Sequence, residues 1–222
     1  YSSRAMSRRQ QTKYPNVFNK EQLIQLFEAI NKPKLAVASL LGLFCGLRIS
    51  EVVSLRIADF DFEKKWVKIN QSKFNKDRYV PIPSSIIPIL KKWIEVIDNT
   101  QTWIFPSKKN IGGHMNKKTL FQDYQKRLRK AGLVIDSSTD SRGRKRYRYC
   151  FHTLRHTYAT LLLEKGVRIE YISKALGHAQ LETTQIYAHI SDTALNEKID
   201  VALSSIPVNF AQDFTDLDKE FR

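Results

Sequence analysis

The chain has 222 residues, 42% of them hydrophobic, with 37 Lys and Arg against 22 Asp and Glu and a net charge of +15. That is length for one large domain or two small ones, with enough apolar content for a core. The charge favours a polyanionic partner, most simply nucleic acid, over the plainer reading of a generally basic protein.

No apolar run approaches the roughly 18 residues of a membrane helix, and no signal-peptide pattern is present. Cys45 and Cys150 lie far apart without CxxC spacing, so they read as reduced thiols of a cytosol-like compartment. The expected location is cytoplasmic and nucleoid-associated. Residue 1 is Tyr, which suggests a piece of a longer chain. Residues 1–18 carry Arg4, Arg8, Arg9 and Lys13 and read as a basic linker from a missing upstream part.

Asn19 caps a helix, with Gln22 completing a capping box; Leu23, Leu26, Phe27 and Ile30 recur at helical spacing, and Asn31-Lys32-Pro33 ends it. Leu35 to Cys45 is apolar nearly all round, the mark of a central helix, and Gly46 closes it. Arg48 then sits at a junction before a short helix carrying Val52, Val53 and Leu55. An arginine beside the core must find acceptors; Glu51 and a bound phosphate are the candidates. Trp66–Gln71 and Arg78–Ile82 alternate as strands around the turn-like Phe74–Asp77, with Lys73 near the tip, and Asp59–Phe62 offers a third strand.

Ser84 starts a helix with Ile86, Ile87, Leu90, Trp93, Ile94 and Ile97 on its apolar side; Pro88 falls in the tolerant first turn. Residues 99–116 form a loop with an extended piece at Trp103–Phe105. Asn116 caps a helix running to Ala131, stopped by Gly132. Asp136–Tyr149 is a flexible loop or weak hairpin carrying Arg142, Arg144, Lys145, Arg146 and Arg148. It is either a solvated charge run or a phosphate-tracking arm, and the arm is favoured because the run leads into His152. His152-Thr-Leu-Arg155-His156 opens a helix held to the core by Leu154, Tyr158, Leu161 and Leu162 and stopped at Gly166. Arg168–Leu176 is a second short helix ending at Gly177, which places His178 at the break; Tyr187 follows on another. Ser191–Ser204 makes a last helix, followed by a tail of spaced hydrophobics among acids. No internal repeat is present.

These residues suit cleavage of a phosphodiester. The guanidinium forks of Arg48 and Arg155 clamp nonbridging oxygens, and His152 and His178 donate to charge that develops in the transition state. Lys73 suits protonation of a leaving alkoxide. Tyr187 is the candidate nucleophile, its phenolate favoured by nearby cations. A covalent phosphotyrosyl link conserves the bond energy, so no nucleotide cofactor is needed. No acidic cluster for Mg²⁺ and no HExxH or CxxC zinc pattern occurs, so the expectation is no metal and no cofactor. Singly, each residue also has a structural reading. Arg48 and Arg155 would serve internal ion pairs, His152 a helix start, His178 a helix cap, and Tyr187 is one of nine tyrosines.

The combination decides between them. Gly46-Leu-Arg48-Ile-Ser-Glu51, Lys73 in a hairpin, His152-Thr-Leu-Arg155-His156, Leu176-Gly-His178 and Tyr187-Ala-His189 occur in this order. From about Asn19 to His189 the chain closely resembles the catalytic domain of tyrosine recombinases, of the phage-integrase and Xer type. The resemblance implies a mainly α fold with a small antiparallel β-sheet, the catalytic domain at 19–190, and a C-terminal helix and tail at 191–222 that contact a neighbouring protomer. It implies Arg48 and Arg155 as the catalytic arginines, Glu51 supporting the first, Lys73 as general acid, and His152 and His178 as the two histidines. Tyr187 would form a 3′-phosphotyrosyl link and release a 5′-hydroxyl. Double-stranded DNA would be held by a homotetramer that exchanges strands through a Holliday junction, with no membrane involved. Family members usually carry an N-terminal helical domain that closes around DNA, and here only the basic lead-in stands in its place. The alternatives are a type IB topoisomerase-like nicking and resealing enzyme, or a DNA-binding module without catalysis.

Overall fold

A computed structural model describes residues 16–70, 77–97, 102–133, 138–139, 143, 145–177 and 199–201, with the backbone alone at 138–139 and 145–146. Seven α-helices and a 3-10 turn (Ile57–Asp59) lie among the described residues: α1 (Lys20–Ala29), α2 (Pro33–Phe44), α3 (Ile49–Val53), α4 (Ile87–Val96), α5 (Lys117–Lys130), α6 (Phe151–Glu164) and α7 (Ile169–Leu176). Two small antiparallel sheets accompany them: β1 (Phe60–Asp61), β2 (Trp66–Ile69) and β3 (Arg78–Pro81) in the order β1-β2-β3, and the pair β4 (Ser138–Thr139) and β5 (Lys145–Arg146). This is the mainly α fold with a small antiparallel sheet that the sequence implies.

The core is built around α2. Each of its residues from Leu35 to Phe44 is buried, and α3, α4, α5 and α6 all pack on it. A helix without a polar side can only sit inside a layer of others. Pro33 occupies its first turn, where a missing N–H costs nothing. The expected caps are present. The Asn19 side chain accepts from the Gln22 N–H at 2.8 Å while Gln22 accepts from the Asn19 N–H at 3.0 Å. The Asn116 side chain accepts from the Lys118 N–H.

The helix expected from Ser84 begins three residues later, at Ile87, after a turn. Ile86 stands at its N-cap position, and Ser84, in the turn before, donates its N–H and hydroxyl to the carboxylate of Asp200. Lys65 adds a hydrogen bond to the Ser84 hydroxyl at 2.8 Å and lies 3.7 Å from Asp200. Ile199 beside it is fully buried in this chain's own core. At the other end, the last residues of the basic lead-in are fixed to the body. Phe18 is buried, stacks on Tyr149 at 4.9 Å and donates its N–H to the Thr157 hydroxyl.

Register puts the residues of β2 and β3 on two distinct faces. Val67 pairs with Val80 and Ile69 with Arg78 on the core side, while Lys68 pairs with Tyr79 on the outer side. The β4–β5 pair confirms a hairpin in the basic stretch before α6, in the register Ser138 with Arg146 and Thr139 with Lys145. No helix among the described residues is long and apolar enough to cross a membrane.

Candidate active site

The site starts at a glycine. Gly46 ends α2 at a φ of +63°, a conformation costly for any residue with a Cβ. A Cβ there would also stand 2.6 Å from the Tyr158 ring and 2.8 Å from Leu176, so conformation and space both demand glycine. The turn delivers Arg48 to the start of α3 and leaves the Gly46 carbonyl facing α6, where Arg155 donates to it from Nη1 at 2.7 Å.

Arg155 is 2% exposed and donates from Nη2 to the Leu176 carbonyl at 2.6 Å. That carbonyl belongs to the last turn of α7, whose final carbonyls lack partners within the helix. The next residue, Gly177, is left-handed at φ 65° and ends the helix as expected. The negative end of α7 thus helps to hold a buried cation.

Glu51 joins the arginines. Its Oε2 accepts the Arg48 backbone N–H at 2.8 Å and its Oε1 accepts Arg48 Nη1 at 3.0 Å. Arg78, from the first position of β3, donates Nη1 to Oε1 at 2.9 Å and Nη2 to Oε2 at 3.0 Å. Arg155 Nη1 stands 3.9 Å from Oε2. Three guanidiniums therefore surround one carboxylate, and the cluster carries two positive charges in excess.

Burial by itself pushes the Glu51 carboxyl up, but the hydrogen bonds and charges of Arg78 and Arg48 outweigh it and hold it below its ordinary value. Burial, and then the charge of Arg48, push Arg155 down to about 10, so it remains a cation at neutral pH. On the first turn of α6, His152 is exposed, and its ring meets that of His156 edge-on at 4.6 Å between centroids. Burial and then Arg155 lower the His156 pKa, which favours neutral imidazole at pH 7.

Of the residues expected from the sequence, Arg48, Glu51 and Arg155 are brought together, and His152 stands one turn ahead of Arg155 on the same helix. Lys73, His178, Tyr187, Arg142 and Arg144 lie outside the described residues, as do the side chains of Lys145 and Arg146. Arg148 is exposed, with its guanidinium over Tyr149 at 5.5 Å. A different tyrosine does lie beside the cluster: Tyr158, against Gly46. It is fully buried, and burial pushes its phenol well up, so it stays protonated.

Sequence reasoning missed Arg78. The signal was there: the alternation that places Val80 and Ile82 on the core side places Arg78 there too, and a charge on a buried register must have a partner.

The family model described as "Phage integrase family" matches residues 16–194. The chain belongs to the phage integrase family. A tyrosine recombinase of Thermosipho africanus is 34% identical over 193 residues, covering 85% of this chain and 61% of the relative. The tyrosine recombinase XerA of Pyrococcus furiosus is 32% identical, covering 85% of this chain and 62% of the relative. The chain thus spans about three fifths of the length of the curated relatives it matches. Among solved structures, that of XerA recombinase superposes with a TM-score of 0.63 at 26% identity, covering 84% of this chain and 65% of that one. XerH site-specific recombinase bound to its difH substrate, in a pre-cleavage complex, gives 0.61 at 27% identity, with 84% and 54% covered.

Proposed function

We propose that the chain is the catalytic part of a site-specific DNA recombinase. The observation that carries this reading is the convergence of Arg48 and Arg155, 107 positions apart, on the single carboxylate of Glu51. Two guanidiniums fixed side by side with surplus positive charge suit one phosphate, whose nonbridging oxygens take paired charge-assisted hydrogen bonds. Donors held in place before the reaction stabilise the charge that builds on those oxygens. His152 is placed on the first turn of the helix that bears Arg155 and adds a further donor.

Tyr187 is the nucleophile in this reading. Its phenol loses its proton to solvent, the phenolate oxygen attacks phosphorus, the 3′-phosphotyrosyl bond forms, the bond to the 5′-oxygen breaks, and Lys73 protonates the departing alkoxide to a 5′-hydroxyl. His178, directly after Gly177 in the chain, is the second histidine donor in this reading. The basic hairpin with Arg142, Arg144, Lys145, Arg146 and Arg148 tracks DNA phosphates. Reversal of the same chemistry on a partner strand gives a Holliday junction. Solved relatives include a λ integrase dimer on a core site and a tetramer on a Holliday junction; the corresponding assembly here is a homotetramer on DNA. Neither a metal nor a nucleotide enters any step.

The test is a pool of nicked duplexes with a randomised core, mixed with the protein and then denatured. Wild type should retain DNA covalently through a 3′-phosphate, and sequencing the adduct gives the site. Tyr187→Phe should give none; an adduct that persists in that variant removes the assignment.

A further inference from the structure

Arg78 is absent from the phosphate-binding set above, yet it is held on every side. Its Nε donates to the Ala175 carbonyl at 3.0 Å, and its two terminal nitrogens meet the two oxygens of Glu51 at 2.9 and 3.0 Å. Its side chain is 9% exposed. A fork against a fork fixes the plane of the carboxylate as well as its position. The Ala175 carbonyl is another unpaired group at the end of α7, next to the one that Arg155 takes. Arg78 therefore ties β3, α3 and α7 together at the place where Arg48 and Arg155 meet.

With Arg78 present, both Glu51 oxygens are occupied by donors at hydrogen-bond distance, while Arg155 Nη1 remains at 3.9 Å, beyond that range. Were Arg78 removed, two acceptor positions would open on a carboxylate that Arg155 already faces. Arg155 Nη1, which donates to the Gly46 carbonyl, would be drawn toward Glu51, and the guanidinium would shift from its seat between the Gly46 and Leu176 carbonyls.

We propose that Arg78 is a positioning residue for the reaction: by filling both oxygens of Glu51 and anchoring on Ala175, it keeps Arg155 and Arg48 aimed at the scissile phosphate. It acts through those two arginines and does not touch DNA. This rests on the recombinase reading above. An ammonium at position 78 reaches one oxygen but cannot meet two oxygens and a carbonyl in one plane, so charge alone is not sufficient.

The experiment uses the duplex recovered in the adduct selection, with either phosphate or a neutral methylphosphonate at the scissile position. Replacing a charged oxygen by methyl removes most of the demand for guanidinium neutralisation. Single-turnover adduct formation by wild type, Arg78→Gln and Arg78→Lys is compared on both, with thermal melts of each protein. On phosphate, Arg78→Gln should be slower by about 100-fold, the scale of a misplacement near 1 Å, and Arg78→Lys by about tenfold. On methylphosphonate both should fall within about threefold of wild type. A purely structural loss lowers both substrates alike, and equal losses overturn the proposal, as does an unchanged rate on phosphate. If Arg78→Gln does not fold, Arg78→Lys carries the same two-substrate comparison. Wild type that forms no adduct removes the recombinase reading, and this inference with it; normal wild type with normal variants removes this inference alone.

Discussion

The strongest stability test is Glu51→Gln, which keeps the shape of the side chain and removes its charge. Glu51 accepts four hydrogen bonds, two from Arg48 and two from Arg78, with its side chain 12% exposed and that of Arg78 9%. An amide offers one acceptor oxygen and turns an NH₂ toward a guanidinium, so one side of the fork becomes repulsive. Each bond to a charged group contributes about 1.5–3 kcal/mol, but Arg48 is half-exposed and regains water when it lets go. Removing one partner of a buried pair costs about 3–5 kcal/mol, and the expected loss lies there. For a chain of this size that corresponds to a fall in Tm of about 6–20 °C, read by calorimetry or by circular dichroism at pH 7. The pH dependence follows from the depressed Glu51 pKa. The stabilisation is fully present above the unfolded-state value near 4.5 and is lost as pH falls through the lower folded value. The gap between wild type and Glu51→Gln should thus be widest at neutral pH and narrow below pH 4.5. A melting temperature at pH 7 within 2 °C of wild type (about 1 kcal/mol or less) refutes the argument that this carboxylate holds the arginines.

Two further substitutions test the elements that frame the site. Gly46→Ala places a Cβ on a left-handed residue and within 2.6 Å of the buried Tyr158 ring; strain and overpacking together should cost about 2–4 kcal/mol in urea unfolding, with the m-value unchanged. Ile199→Ala removes a fully buried side chain from the segment whose Asp200 binds Ser84. It should cost about 2 kcal/mol, seen as faster amide exchange at 199–201 while α2 stays protected; uniform protection would show that Ile199 does not hold that segment down.

A buried, net-positive cluster needs compensation, and the fold supplies it from backbone. Arg155 is bound by the Gly46 carbonyl and Arg78 by the Ala175 carbonyl, with Leu176 taking the second Arg155 donor. Carbonyls at a turn and at a helix end have no donor within the helix, and they carry partial negative charge without a proton to lose. They offset desolvation of the cations without cancelling their charge. A second and third carboxylate in their place would have neutralised the cluster.

What the sequence determined by itself lies within a few residues along the chain. The capping pair Asn19 and Gln22, the stops at Gly46, Gly132, Gly166 and Gly177, the three short strands and the pairing of Arg48 with Glu51 three positions on are all local. Spacing reveals them because the partners share a turn of helix or neighbouring strands. The roles proposed for Lys73, His178 and Tyr187 rest on motif order alone, and these residues lie outside the described ones. Only the tertiary structure decided that Arg48 and Arg155 share Glu51, that Arg78 joins them across 27 residues, and that Gly46 lies 109 residues from the guanidinium it binds. The same holds for Ser84, whose partner is 116 residues away and which lies in the turn before the helix expected to start there. A hydrogen bond does not depend on sequence separation, so no local pattern marks such pairs. They exist because α2 is buried on every side and gathers α3, α6 and their neighbours around it.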